Sequence, residues 1–378
     1  MKTALISGNG ITGPALAYWL GRAGYRSTLV ERAPVPRPGG QAVDIRGAAL
    51  QVIAGMGLLE QAHARRTALK GMTMLDADGS ELFRSETMTL SGGDIDNEDI
   101  EILRDELSAL LLTVAPQGTE LIYGDSITAL QEDADGVTAH FEKAPSRRFD
   151  LVLGADGVQS ATRALAFGDA AQFLSPLDVG MAIYSAPNHL GLEDWEIYYK
   201  HGSDFCLVYT VNQNRSLRVC LRFPATLEEE KQGGSAGQKA LVRRRCADFG
   251  WETPALLDAM DSSSDFWLGS VAQVIMPHFT KGRVALVGDA GYCPSPYSGQ
   301  GTSLSLVGAQ VLADELGKAE GDHATAFARY EDRMRPFIEA NQELARLGLR
   351  VGLDNEVGQQ LFGEAMELAK NAIALELV

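Results

Sequence analysis

Cysteine is scarce in this chain of 378 residues: Cys206, Cys220, Cys246 and Cys293 form no CxxC pair and stand at no metal-ligand spacing. That excludes a disulfide-built scaffold or a zinc module and predicts buried, reduced thiols. Cys206 and Cys220, on either side of a turn near Gln213-Asn214, are the pair placed to face each other. Positive charge is scarce too. With 33 Lys and Arg against 50 Asp and Glu, the net charge of −17 argues against nucleic acid or an anionic membrane as partner. No apolar run approaches the roughly 20 residues of a membrane span. The N-terminal apolar residues loosely imitate a secretory leader, but Gly8-Asn9-Gly10 interrupts them, and a cytoplasmic protein is expected. Internal repeats, low-complexity tracts, a Ser-His-Asp set and a metal-binding set are all missing, so no catalytic acid, base or nucleophile is nominated. What remains, at 45% hydrophobic and 22% charged residues, is a soluble globular chain able to bury a sizeable core.

The glycines carry the information. Residues 3–7 read as an apolar strand, followed at once by Gly8-Asn9-Gly10-Ile11-Thr12-Gly13, a helix over 15–23 and a second strand over 27–30 that ends at Glu31-Arg32. In such a βαβ unit Gly8 permits the tight turn, Gly10 lets a pyrophosphate approach, and Gly13 lets helix pack on strand. Glu31 is placed for ribose hydroxyls. The motif predicts a dinucleotide without separating NAD from FAD.

A second signal comes late. A β-branched strand over 284–287 stops at Gly288-Asp289, crosses a loop containing Pro296, and enters a helix over 302–316 through Gly299-Gln300-Gly301. Asp289 suits sugar-like hydroxyls. Pro296 fixes a backbone angle, Gly299 and Gly301 admit a flat ring, and the helix start directs N–H groups and positive dipole at it. A third edge, Gly154-Ala155-Asp156-Gly157, follows a strand over 149–153, where open α/β sheets bind ligands.

Between these motifs the chain reads as a helix over 48–62, a hairpin of 72–75 with 81–83, an acidic loop over 91–99 and a helix from Glu101 through residue 114. Arg104 near that helix start runs against the dipole, which implies either an anionic or polar partner or plain surface placement. From about 170 to 274 strands dominate, and their aromatics are core with a minority left for a flat ligand. Arg222, central in the strand 217–223, either meets a polar oxygenated substrate or points outward to solvent. Two long helices, over 325–347 with a kink expected at Pro336 and over 356–375, finish the chain.

The three motifs in this order resemble the single-component flavoprotein aromatic hydroxylases, the family of p-hydroxybenzoate hydroxylase, over essentially the whole chain. Residues 39–47, Glu101-Ile102-Leu103-Arg104 and 280–293 are most similar to the tetracycline-inactivating monooxygenases, and the extra C-terminal helix matches what those enzymes place over the active site. The resemblance implies an α/β fold in which a Rossmann-like FAD-binding domain, 1–169 and 276–322, carries an inserted antiparallel-sheet substrate domain, 170–275, and C-terminal helices, 323–378. It implies FAD held by Gly8, Gly10, Gly13, Glu31 and Arg32 on the ADP half and by Arg104. Asp289 would hold the ribityl chain, Pro296, Gly299 and Gly301 would flank the isoalloxazine with Arg46 near it, and Asp156 would serve FAD and the pyridine nucleotide. It implies NADPH or NADH as co-substrate without a separate domain, O₂, and a small polycyclic phenol or enol, most nearly a tetracycline, hydroxylated by a monomer. The alternatives are a biosynthetic hydroxylase of aromatic polyketides or phenols and a flavin-containing drug-sequestering protein. A flavin halogenase would carry a W-x-W-x-I-P motif, which is absent. A dehydrogenase would leave the stretch from Asp289 to Gly301 idle.

Overall fold

The computed structural model describes residues 1–90, 92–351 and 356–375. Its first layer is a six-stranded sheet in the order Thr280–Lys281, Val284–Leu286, Leu151–Gly154, Lys2–Ser7, Tyr25–Glu31, Glu120–Tyr123, parallel except for the first pair. These strands are apolar on both sides because both faces are covered. Ala4, Ile6, Leu29, Leu153 and Ala285 join the core beneath the helices Thr12–Arg22 and Gly301–Lys318. The alternate residues Leu5, Val30, Val152 and Val284 pack on a three-stranded antiparallel sheet of Ile127–Asp133, Gly136–Phe141 and Arg147–Phe149. Register brings Ser7 opposite Gly154 and Gly154 opposite Leu286, so all three glycine-marked turns leave one edge of the sheet.

The second layer is a seven-stranded sheet in the order Trp267–Val274, Leu174–Pro187, Ser216–Pro224, Asp204–Val211, Glu196–His201, Met72–Leu75, Glu81–Ser85. The early hairpin thus joins a sheet built mostly from later residues, through parallel pairing of Met72–Leu75 with Glu196–Tyr199. One face buries Ala182, Tyr184, Val208, Val219, Leu221 and Phe223 against the helices Gly234–Arg245 and Thr253–Ser262. The other face turns toward the first layer.

Local expectations shift in four places. The helix read over 48–62 is two, Ala48–Gly55 and Leu59–His63, because Gly57 takes a left-handed φ of +71° between them. The strand read over 149–153 divides at Asp150, one part in each of two sheets. Glu101 lies not in a helix but in the strand Ile100–Leu103, which pairs with Ala42–Ile45 and leaves the helix to begin at Arg104. Cys206 pairs with Leu221 and Cys220 with Leu207, an offset of one that sends the two thiols to opposite faces. All four cysteines are free and buried.

Within the acidic loop expected over 91–99, Ser91 lies outside the described residues, and Gly93–Asp94 pairs with Met88–Thr89. The C-terminal helices are His323–Val351, with Pro336 inside it, and Glu356–Lys370. No helix among the described residues is long and apolar enough to cross a membrane.

Candidate active site

The first turn separates its glycines by job. Gly8 has φ +104°, and a Cβ there would stand 2.4 Å from the Ala155 carbonyl oxygen; a Cβ on Gly13 would stand 2.0 Å from that of Gly8. Both therefore serve close packing. A Cβ on Gly10 would meet no heavy atom within 4 Å, so its missing side chain leaves open space. The helix that follows has no side-chain cap, which leaves its first N–H groups available to an anion. Glu31 accepts from Asn9 N at 2.9 Å and Ala33 N at 2.8 Å, and Arg32 beside it is exposed.

Arg104 donates from Nη2 to the carbonyls of Arg37 and Gly39 at 2.9 and 2.7 Å, which ties the Pro/Gly loop to the helix start. Its Nε is buried without a partner. Burial, with Arg37 close by, lowers the Arg104 guanidinium to about 10. The polar partner that its helix position called for is partly supplied by these carbonyls. Asp156 is fully engaged: Ser7, Ser160 and Thr162 hydroxyls and Thr162 N all donate to its carboxylate. It fastens the end of the first strand to the helix Ala161–Phe167.

The third turn meets the first where a Cβ on Gly288 would touch the Thr12 and Ser305 hydroxyls. Asp289 follows, its carboxyl pushed up by burial against the opposing hydrogen bond of Cys293. A Cβ on Gly301 would lie 3.7 Å from Asp289 Oδ1, and Pro296 opens a short 3₁₀ turn over Pro296–Ser298. Gly299 has φ +62° and closes that turn. Ser295 takes φ +79° and ψ 160°, a region otherwise kept for glycine. Ser295 Oγ and Gln300 Oε1 are buried without partners, as is Asn9 Oδ1 on the first turn. Unmatched buried polar atoms are costly, and these three lie on the glycine-marked turns, where a polar cofactor would satisfy them. The residues present fit FAD.

Arg46 lies beside Gly299. Its Nη2 lies 2.9 Å from Asp44 Oδ2, its backbone N donates to Ser303 Oγ at 3.0 Å, and its Cζ would lie 3.8 Å from a Cβ on Gly299. Burial raises Asp44 to about 6 despite Arg46. Lys370 of the last helix reaches Asp99 at 2.9 Å, and Met366 of that helix lies against both Arg46 and Gln300. The C-terminal helix therefore packs onto the loop that carries Gly299.

The antiparallel sheet supplies the opposite wall. Pairing places Met181, Arg222 and Phe205 in one row on the face away from the covering helices, with Ile183, Cys220, Leu207 and Tyr198 in the next. The rings of Phe205 and Tyr198 lie 4.9 Å apart, and both residues are half-buried, whereas Tyr184, Tyr199 and Phe223 on the other face are fully buried. Arg222 Nε donates to the Tyr297 hydroxyl at 3.0 Å, joining this face to the Pro296 loop.

Residues 1–345 match the family model described as an FAD binding domain. The chain belongs to the FAD-dependent monooxygenases of the aromatic hydroxylase family. It is 45% identical over 344 residues, 91% of this chain and 92% of the relative, to an uncharacterised protein of Mycobacterium tuberculosis strain H37Rv. A flavin-dependent monooxygenase of Legionella longbeachae is 36% identical, covering 90% of this chain and 86% of its own. Two solved structures, the tetracycline destructases Tet(51) and Tet(55), align at TM-score 0.90 with 33% and 34% identity, covering 100% of this chain and 100% and 99% of theirs. FAD is the cofactor of this family, and the three glycine-marked turns lie together on one edge of the sheet.

Several residues of the site escaped the sequence reading. Arg163, wholly buried, donates to the Ala290 carbonyl at 2.9 Å and the Val158 carbonyl at 2.6 Å, linking two of the three turns. Its only sequence signal was a cation in a short apolar helix just after Gly157. Asp44, Ser303, Tyr297, Met366 and Lys370 come from four separate segments and left no shared pattern.

Proposed function

We propose that this FAD-dependent monooxygenase hydroxylates a flat polycyclic phenol or enol of the tetracycline type, with NADPH or NADH as reductant. The observation that carries the reading is the whole-length likeness to two tetracycline destructases, which extends through the C-terminal helix. When bound and reduced, FAD supplies the activation of O₂. The chain's residues supply position and dryness. Gly8, Gly10, Gly13, Glu31, Arg32 and Arg104 would hold the ADP half, and Asp289 the ribityl chain. Pro296, Gly299, Gly301 and Arg46 would frame the ring, and Asp156 would act by fixing the first turn. Met181, Phe205 and Tyr198 offer an apolar wall opposite that loop, and the helix Glu356–Lys370 shields the Gly299 side from water. With no side chain nominated for acid or base work, the protein's contribution is orientation and electrostatics.

The test is NADPH oxidation by FAD-loaded protein with and without tetracycline, followed by the mass of the product, and the same with NADH. Stimulated oxidation with a product heavier by one oxygen atom is the expected result. Flavin reduction without stimulation by tetracycline would move the substrate to another aromatic polyketide or phenol.

A further inference from the structure

We propose that a cavity at the far end of the parallel sheet from the glycine-marked turns binds a phosphate monoester with free hydroxyl groups, the chemistry of a sugar phosphate. The site is independent of the cofactor and substrate reading above.

The cavity has a volume of about 240 Å³, and Lys2, Tyr25, Asp135, Asp150, Arg283 and His323 line it. It sits where the parallel strands begin. Lys2 and Tyr25 open the strands Lys2–Ser7 and Tyr25–Glu31, and Asp150 and Arg283 immediately precede Leu151–Gly154 and Val284–Leu286. At roughly 3.3 Å per residue, the length of Lys2–Ser7 puts about 17 Å between this cavity and the first glycine turn. His323 opens the long helix His323–Val351.

Donors reach this space without acceptors. Tyr25 is only 6% exposed, yet its hydroxyl has no hydrogen-bond partner among the described residues. Lys2 Nζ lies 5.8 Å from the centroid of the Tyr25 ring and against Gly321, where a Cβ would stand 2.1 Å away. No carboxylate pairs with Lys2 among the described residues. The His323 ring packs edge-on against Phe327 and has no hydrogen-bond partner among them either. Arg283 gives Nη1 and Nη2 to the Asp150 and Ala134 carbonyls, which leaves Nε. Burial first, and then Arg283 and Lys2, lower the His323 imidazole against the pull of Glu132 and Asp322, so the cations crowd one another.

Most of the nearby acids are already engaged. Asp150 Oδ2 accepts from Thr3 N at 2.6 Å and Thr3 Oγ1 at 2.9 Å, Glu132 accepts from Arg283 N, and Asp322 accepts from Thr325 N and Oγ1. Asp150 Oδ1 and the Asp135 carboxylate are left to accept. A bare anion would satisfy the donors but would face these two carboxylates with nothing to give. A phosphate monoester with hydroxyls answers both sets: its oxygens take the donors with nearly two negative charges, and its O–H groups go to the aspartates. The cavity is also far larger than the roughly 10–15 Å³ that a single water needs, which leaves room for a sugar beside the phosphate.

The experiment uses oxidised, FAD-loaded protein, so that the dinucleotide edge is filled, and titrates ribose 5-phosphate, inorganic phosphate and ribose separately by calorimetry. Ribose 5-phosphate should bind roughly tenfold or more tightly than either of the others. Lys2→Gln should weaken it roughly tenfold to a hundredfold, the range of hydrogen bonds to a charged group, and Tyr25→Phe severalfold, both at unchanged flavin content. No binding of ribose 5-phosphate by wild type, equally tight binding of inorganic phosphate or ribose, or affinity that is undiminished in Lys2→Gln would overturn the site. If Lys2→Gln does not fold, undiminished affinity in Tyr25→Phe does so.

Discussion

The glycine-marked edge of the parallel sheet and the inward face of the antiparallel sheet meet at Arg222 and Tyr297, yet their sequences encode them differently. On the first, the backbone itself must come close to something, and only glycine allows it: Gly8 against Ala155, Gly13 against Gly8, Gly288 against Thr12. Such demands leave a trace at fixed spacing. On the second, the wall is made by side chains that pairing brings into a row from Met181, Arg222 and Phe205, which lie far apart along the chain. Nothing local records that row. Close backbone approach is legible in the sequence, and a row of side chains drawn from distant segments is not.

The largest effect should come from breaking the first region at two of its own glycines. Gly13→Ala places a methyl group against the Gly8 carbonyl and should cost about 3 kcal/mol, with flavin lost on purification. Gly10→Ala meets only open space, so the apo-protein should unfold within about 0.5 kcal/mol of wild type while FAD affinity falls roughly tenfold or more. Denaturant unfolding and flavin titration separate the two. If Gly10→Ala copurifies with a full complement of FAD, the open space beside Gly10 is not the cofactor's.

Asp44 lies between the regions and gives a pH signature. Its carboxyl in the folded protein is raised to about 6 from the ordinary 3.8 because burial outweighs Arg46. The native state then binds the proton more tightly than the unfolded chain. Its contribution to stability is full below the lower value, declines as pH rises, and is gone above the upper one. In Asp44→Asn that decline disappears. The stability of the variant relative to wild type should climb by roughly 1–3 kcal/mol between about pH 4 and pH 6. A difference that stays flat across this window would mean the carboxyl is not raised.

On the inward face of the antiparallel sheet, Phe205→Ala removes a half-buried ring and should cost only about 1–2 kcal/mol of stability. Flavin content should hold. The apparent KM for a tetracycline-type substrate should rise about tenfold with kcat much less affected, the mark of lost ground-state contact. Equal losses in KM and flavin content would instead assign Phe205 to the cofactor side.

Reading the sequence recovered the three turns and the alternation of parallel and antiparallel layers. It failed where a short apolar segment could serve either period. Ile100 and Ile102 alternate as a strand does, but the helix that starts at Arg104 drew Glu101 into its pattern. It failed again at register, where Cys206 and Cys220 look paired from the turn between them and are one residue out of step. Long-range partners such as Lys370 with Asp99 have no local signature at all.

Ser295 tests whether legibility really tracks glycine. It sits on the glycine-marked edge at φ +79° and ψ 160°, where the backbone asks for glycine and the chain carries serine. Holding it there costs on the order of 1–3 kcal/mol. Its hydroxyl is buried without a partner, which adds to the cost unless FAD accepts or donates at that atom. Ser295→Gly relieves both terms and gives back part of the gain through a freer unfolded chain, for a net stabilisation of about 1 kcal/mol in the apo-protein. FAD affinity should move the other way, severalfold weaker, because a loop pre-set by strain and a hydroxyl kept for the cofactor are both lost. Opposite signs in unfolding and in flavin titration would place Ser295 among the cofactor residues, one that the spacing of glycines conceals. Affinity that holds or improves would mean the strain serves no ligand, and the glycines alone would account for the cofactor edge.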